Sequence, residues 1–263
     1  MNRLIFPDYT VIWDQRIGIR DEQQDAVDVL PLGSNCCVAV CDGMGGLYSG
    51  SAASRQAVST LRRMMEETGR FREPLQEIPQ FLEKAVQQLD AGVLGIRSVD
   101  RLNRKMGTTV VTAILWDGML FWMSVGDSRL YIFRKGELIQ ATRDHNYLYT
   151  LNQLYAKGAI SESTFRAESK KGAALTSYIG MNGVEFYDVC KSPFLLRSGD
   201  IVLLVSDGIY KTIEDAQLQK ILSRSAALEE KAETIVSGIL EAAQDQIQDN
   251  ASLIMIEWGY TGR

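Results

Sequence analysis

The fold class this sequence predicts is α+β, on three observations. Short runs rich in β-branched and aromatic residues recur along the chain and end at Gly, Asp or Asn. Two of them, 109–116 and 119–125, are joined by Asp117-Gly118, a strong two-residue hairpin signal that implies antiparallel pairing. Three long segments instead repeat apolar residues at helical spacing. In chain order the predicted strands are 10–20, 36–41, 109–116, 119–125, 130–134, 201–205 and 252–258, and Lys135-Gly136 turns the chain back into 137–140. The helix over 51–68 lines up Val58, Leu61 and Met65 on one face. The helix over 73–94 does the same with Ile78, Leu82, Val86 and Leu89. A third helix over 228–244 carries Ile235, Ile239 and Leu240, with Lys and Glu opposite. Helices set between strand groups are expected to cover sheet faces.

Composition narrows the function classes. The chain has 263 residues, 46% of them hydrophobic, which is ample for a sizeable core. No linker, repeat or low-complexity stretch divides it, and it has only five prolines, so one domain over 1–263 is expected. No apolar run approaches the roughly 20 residues that cross a bilayer, and the N-terminus lacks a cleavable leader pattern, so no membrane insertion and a cytoplasmic location are expected. A net charge of −5 argues against nucleic acid as the main partner. Cys36, Cys37, Cys41 and Cys190 form no CxxC pair, and three of them lie on one apolar strand, which fits structural thiols in a reducing compartment. No CxxxxxR phosphate loop occurs, and the sole histidine is His145, so thiol and histidine-rich sites are disfavoured.

The chemistry lies in aspartates set against strand-like runs. Asp42 in VAVCDGMGG, Asp127 in SVGDSR and Asp207 in LLVSDG follow such runs closely; Asp249 in QDNASLIMI comes just before one. Carboxylates gathered together need cations, and carboxylate oxygen with water is the donor set of Mg²⁺ or Mn²⁺. Any one of these positions equally fits an ordinary turn aspartate, so on spacing alone the metal site and the turn remain alternatives.

In order, the chain reads GIRDEQQDA (18–26), VAVCDGMGG (38–46), MGTTVVTAIL (106–115), SVGDSRLYIFRKGEL (124–138), LLVSDGIY (203–210) and DNASLIMI (249–256). This ordered set resembles the metal-dependent protein phosphatase 2C (PPM) family, most closely its compact bacterial members, from about residue 10 to the C-terminus. The resemblance implies two antiparallel sheets stacked face to face and flanked by helix pairs, with a flap over about 145–180 beside a metal cleft. Ser161 reads as the start of a short helix in that flap.

The resemblance also implies roles. Asp42 would bridge two Mn²⁺ or Mg²⁺ ions and Gly43 would give its carbonyl to one of them, while Asp207 and Asp249 complete the other shell. Asp127 with Asp207 would form a third, weaker metal site; read without the family, Gly126-Asp127-Ser128 is a tight turn between adjacent strands. Asp25 would hold metal-bound water, and Arg20 would grip the substrate phosphate by a bidentate fork. Gln24 stands where the family has an acidic residue, which lowers the expected metal affinity. Met44 replaces the histidine of DGHGG members, leaving metal-bound water as the expected proton source, with His145 as a structural residue. Arg129 is expected to support the fold.

The implied reaction is hydrolysis of phosphoserine or phosphothreonine in proteins by metal-activated water at a dinuclear centre. The alternative is a catalytically weak or inactive module of the same fold, disfavoured by the intact Asp25, Asp42, Asp207, Asp249 and Arg20. The implied partners are a phosphorylated protein substrate and a cognate Ser/Thr kinase.

Overall fold

The computed structural model describes residues 1–45, 49–100, 106–244 and 249–259. Two antiparallel sheets stack face to face, as the resemblance implied. The six-stranded sheet contains β1 (Asn2–Ile5), β2 (Tyr9–Arg16), β8 (Arg129–Arg134), β9 (Glu137–Gln140), β12 (Ile201–Val205) and β13 (Ala251–Trp258), in the order β1-β2-β13-β12-β8-β9. The second sheet contains β3 (Asp25–Leu32), β4 (Asn35–Met44), β6 (Val110–Trp116), β7 (Met119–Val125) and β10 (Asp188–Val189), in the order β10-β7-β6-β4-β3. Two short strands complete it: β5 (Gly107–Thr108) pairs with β4, and β11 (Phe194–Leu195) pairs with β7.

Alternation along each strand builds the layers. Cys36, Val38 and Val40 of β4, Val111 and Ala113 of β6, Val202 and Leu204 of β12, and Ile254 and Ile256 of β13 fill the space between the sheets. The intervening residues face helices. Cys37, Ala39 and Cys41 meet α1 (Ser49–Thr68) and α2 (Pro74–Asp100). Leu203, Leu253 and Met255 meet α6 (Asp215–Leu222) and α7 (Leu228–Gln244). Strands covered on both faces read as unbroken apolar runs, which is why the central ones stood out in the sequence. All four cysteines are buried free thiols, and burial pushes Cys36 and Cys37 up to about 12. Among the described residues no helix is long and apolar enough to cross a membrane.

Four expectations change. β2 stops at Arg16, because Gly18 (φ +65°) turns the chain, so Arg20 lies on a loop. β3 was not foreseen; Asp25, Asp28 and Pro31 disguise it, and Pro31 is tolerated because β3 is an edge strand. Gly126-Asp127-Ser128 does not join neighbours within a sheet: it carries the chain from β7 in one sheet to β8 in the other. On α7, Ile235 and Ile239 are buried as expected but Leu240 is 47% exposed. Both two-residue turns hold, with positive φ at Asp117, Gly118, Lys135 and Gly136.

The segment 145–180 forms α3 (Tyr147–Ala156), α4 (Glu162–Glu168) and a short 3₁₀ turn at Ser169–Lys171. Ser161 caps α4 by accepting the Thr164 N–H at 3.1 Å. Its ends are tied to the body: Ile179 bridges to Thr108, and the Gly180 and Gly183 N–H groups donate to Asp90 on α2 at 2.6 and 2.8 Å.

Candidate metal centre

Strand direction brings five aspartates to one end of the sandwich. β4 runs toward that end and antiparallel β3 runs away from it, so Asp42 and Asp25 are direct cross-strand partners. In the other sheet β12 delivers Asp207 to the start of a four-residue helix, α5 (Asp207–Tyr210), and Asp249 stands two residues before β13. Asp127 sits on the crossover between sheets. Asp42, Asp127, Asp207 and Asp249, with Arg20 and Lys211, line an open cavity of about 920 Å³. Asp25 is buried beside them, 4% exposed.

Backbone contacts fix these positions. The Asp42 N–H donates to Thr109 Oγ1 at 3.0 Å, and its carbonyl accepts from the Thr109 N–H and Thr108 Oγ1, both at 2.8 Å. Thr109 Oγ1 is also 2.6 Å from Ser128 Oγ, so the MGTT and GDSR motifs lock Asp42 and Asp127 together. Neither Asp-Gly pair is a hairpin turn. A Cβ on Gly43 would lie 2.1 Å from the Gly50 carbonyl oxygen, and one on Gly208 would lie 2.1 Å from that of Asn250. The loop carrying Arg20 is moored by Asn250, whose Oδ1 accepts the Gln24 N–H at 2.8 Å and whose Nδ2 donates to the carbonyls of Ile17 and Glu22 at 2.8 and 3.1 Å.

Electrostatics separates this cluster from ordinary turns. Burial pushes Asp42 well above the usual carboxylate range, and Asp25 and Asp207 push it further. Burial raises Asp25 to about 7 against the influence of the nearby Ser252 and Ser206 hydroxyls, with Asp207 and Asp249 adding to the rise. Burial and then Asp207 raise Asp127 to about 6, opposed by Lys211. Like charges directly opposite on neighbouring strands are destabilising. Asp25 Oδ2 accepts from Ser206 Oγ at 2.8 Å, but Oδ1 is buried with no hydrogen-bond partner among the described residues. The buried unsatisfied oxygen and the mutually repelling carboxylates together fit a cationic guest.

Two protein cations already reach the rim. Lys211 Nζ contacts Asp207 Oδ2, and Arg20 Nη2 lies 2.6 Å from Asp249 Oδ2. No set of three Asp, Glu, His or Cys side chains among the described residues encloses an ion by itself. Mg²⁺ and Mn²⁺ sites draw much of their shell from water and carbonyls, so this set remains suited to them. Beside the neutral Gln24 stands another carboxylate: Glu22 accepts from Gln24 Nε2 at 3.3 Å and from Ser51 Oγ. Gly46 of the DGMGG run lies outside the described residues.

His145 does not line the cavity. It is fully buried; its Nδ1 accepts the Gly126 N–H at 3.1 Å, and its main chain bonds Gly126 and Thr176 at 2.9 Å each. Its Nε2 is 3.8 Å from Asp188 Oδ2. Burial pushes Asp188 up, yet His145 and Arg143 outweigh it and hold the carboxyl well below its usual range. His145 therefore ties the Asp127 crossover to the 145–180 segment. Arg129 grips Asp144 through Nε and Nη2 at 3.0 and 2.7 Å and lies 3.7 Å above the Tyr210 ring, a structural role as expected. Lys211, Asn250, Ser206 and the roles of Thr108 and Thr109 were not read from the sequence. The only signal for Lys211 was its place four residues after Asp207, one helical turn on.

Comparison with known proteins fits this architecture. The Protein phosphatase 2C profile matches residues 17–249. Over 220 residues the chain is 30% identical to the serine/threonine phosphatase Stp of Listeria innocua, covering 84% of this chain and 83% of that protein. The S. agalactiae serine/threonine phosphatase superposes with a TM-score of 0.81 at 23% identity, over 95% of this chain and 99% of that one. The catalytic domain of the phosphatase PstP, solved in complex with two manganese ions, superposes with a TM-score of 0.75 at 23% identity, over 95% and 98%. A match over most of the chain, with the ordered aspartates at one sandwich end, leads to a plain conclusion: the chain belongs to the protein phosphatase 2C family of serine/threonine protein phosphatases.

Proposed function

We propose that this protein is a Mn²⁺- or Mg²⁺-dependent phosphatase that hydrolyses phosphoserine and phosphothreonine in proteins, with 1–263 acting as one phosphatase domain and 145–180 as its flap. The observation that carries this reading is Asp42, facing Asp25 across the strands and raised by it and by Asp207, beside a buried Asp25 oxygen without a partner among the described residues. The manganese in the PstP structure supports the choice of metal.

Asp42, the Gly43 carbonyl, Asp207 and Asp249 would supply oxygen ligands for two ions, and Asp127 lies within the same cavity. Bound there, two divalent ions supply charge neutralisation for the phosphoryl group and acidify water for attack. The remaining work falls to the chain. Asp25, buried beside the cavity with Oδ1 lacking a partner among the described residues, would orient water held with the ions. Arg20, half exposed and resting on Asp249, is placed to exchange that carboxylate for a substrate phosphate in a bidentate fork that lysine cannot form. The proton for the departing seryl or threonyl oxygen comes from cleft solvent, because His145 stands outside the cavity. A phosphorylated protein as substrate, a Ser/Thr kinase as the opposing enzyme and a cytoplasmic site of action complete the proposal.

Phosphate release from a phosphothreonine peptide, with and without Mn²⁺, tests it. Wild-type protein should turn over only with metal, and Asp42→Ala should lose nearly all of that turnover. Equal release by both proteins would refute the two-metal reading.

A further inference from the structure

We propose that Lys211 is a built-in counter-ion for Asp127 and Asp207, taking the place of a third divalent cation so that the cleft saturates with two. This rests on the two-metal reading above. One helical turn after Asp207, the chain returns to it: the Lys211 N–H donates to the Asp207 carbonyl at 2.9 Å, and Nζ contacts Asp207 Oδ2. Lys211 borders the metal cavity, and its charge also acts on Asp127 and Asp42.

The other acidic partner is similarly engaged. Asp127 is only 4% exposed and so offers an incoming ion few open faces, and nearby Tyr210 favours its ionised form. Tyr210 is itself held: the Arg129 guanidinium covers its ring at 3.7 Å and is fixed in turn by Asp144. A divalent ion between Asp127 and Asp207 would therefore have to displace an ammonium from a carboxylate it needs. An isolated surface pair four residues apart on a helix contributes little. This pair differs, because the Asp207 side chain is only 15% exposed and Asp127 and Asp42 line the same cavity as Lys211.

The test is the number of Mn²⁺ ions bound by the full chain, counted by equilibrium dialysis and by electron paramagnetic resonance up to millimolar Mn²⁺. Wild type should saturate at two ions. Lys211→Met and Lys211→Gln should each take a third, Lys211→Arg should stay at two, and Lys211→Met combined with Asp127→Asn should return to two. Circular dichroism establishes that each variant is folded. A third ion in wild type, or only two in both folded neutral variants, would overturn the role of Lys211 and leave the two-metal reading intact. No bound ion in wild type would overturn both.

Discussion

The sandwich carries buried aspartates at both ends, with β12 running from Asp200 at one to Asp207 at the other, and the two ends treat them in opposite ways. At the far end Asp200 is 2% exposed and fully paired: Arg134 grips both its oxygens, and the Arg197 N–H donates to Oδ2 at 2.6 Å. At the cleft end Asp25 is 4% exposed, yet one oxygen has no partner among the described residues, and its cross-strand neighbour is another aspartate. Burial alone does not mark function. Burial of a carboxylate without its own donors, against others of the same charge, does.

Substitution at each end should break this comparison most sharply. Asp42→Ala should lower phosphatase activity by roughly 10³-fold, the scale on which one preorganised electrostatic group acts. It should also raise the melting temperature of the metal-free protein, because it removes the charge facing Asp25. Asp200→Ala should do the reverse: a loss of about 3 kcal/mol on chemical denaturation, from an Arg134 left without its carboxylate, with Mn²⁺ affinity unchanged. If Asp200→Ala impaired metal binding as Asp42→Ala does, the two ends would not be distinct.

Arg20 comes next. Arg20→Ala should reduce kcat/KM on a phosphothreonine peptide by about 10²-fold, on the scale of a lost bidentate phosphate contact. Arg20→Lys should not restore it. Mn²⁺ affinity, measured calorimetrically, should hold or improve in both, because Asp249 loses a competitor.

Acidity sharpens the contrast further. Burial and neighbouring carboxylates push Asp25 up to about 7 and Asp127 up to about 6, against 3.8 for an ordinary aspartate. The folded chain thus holds protons that the unfolded chain releases. In the metal-free protein their contribution to stability is complete below 3.8 and is lost as pH rises through about 7. Thermal melts should therefore show a stabilisation by Mn²⁺ that widens from about pH 5 to about pH 8. A constant increment across that range would contradict the cluster electrostatics.

The smallest effect should be at His145. His145→Ala leaves the buried Gly126 N–H unpaired and should cost about 1–3 kcal/mol. Turnover of a phosphoserine peptide and of an aryl phosphate should fall in equal proportion. Loss of the peptide activity alone would make His145 the proton donor.

These contrasts also show what the chain made legible. Central strands such as β4 and β12 were readable because sheets covered on both sides demand uninterrupted apolar runs. β3 was not, since an edge strand tolerates Pro31 and carries Asp25 for the cleft. Helix α3 was missed because only Leu151 of its ten residues is buried, so it shows no apolar stripe. The aspartates themselves were visible at strand ends. Their pairing with cations was not, although Arg20 itself was named: the Arg20–Asp249 pair spans 229 positions of sequence, a separation no local pattern encodes.

The most direct test of the account is calorimetric titration of Mn²⁺ into the metal-free protein at about pH 6, in two buffers with different heats of protonation. Because carboxylates raised to about 6 and about 7 hold protons there, two ions should bind and expel protons into the buffer, and Asp42→Ala should expel fewer. Binding with identical heats in both buffers, or no binding, would contradict the claim that uncompensated aspartates form the metal centre.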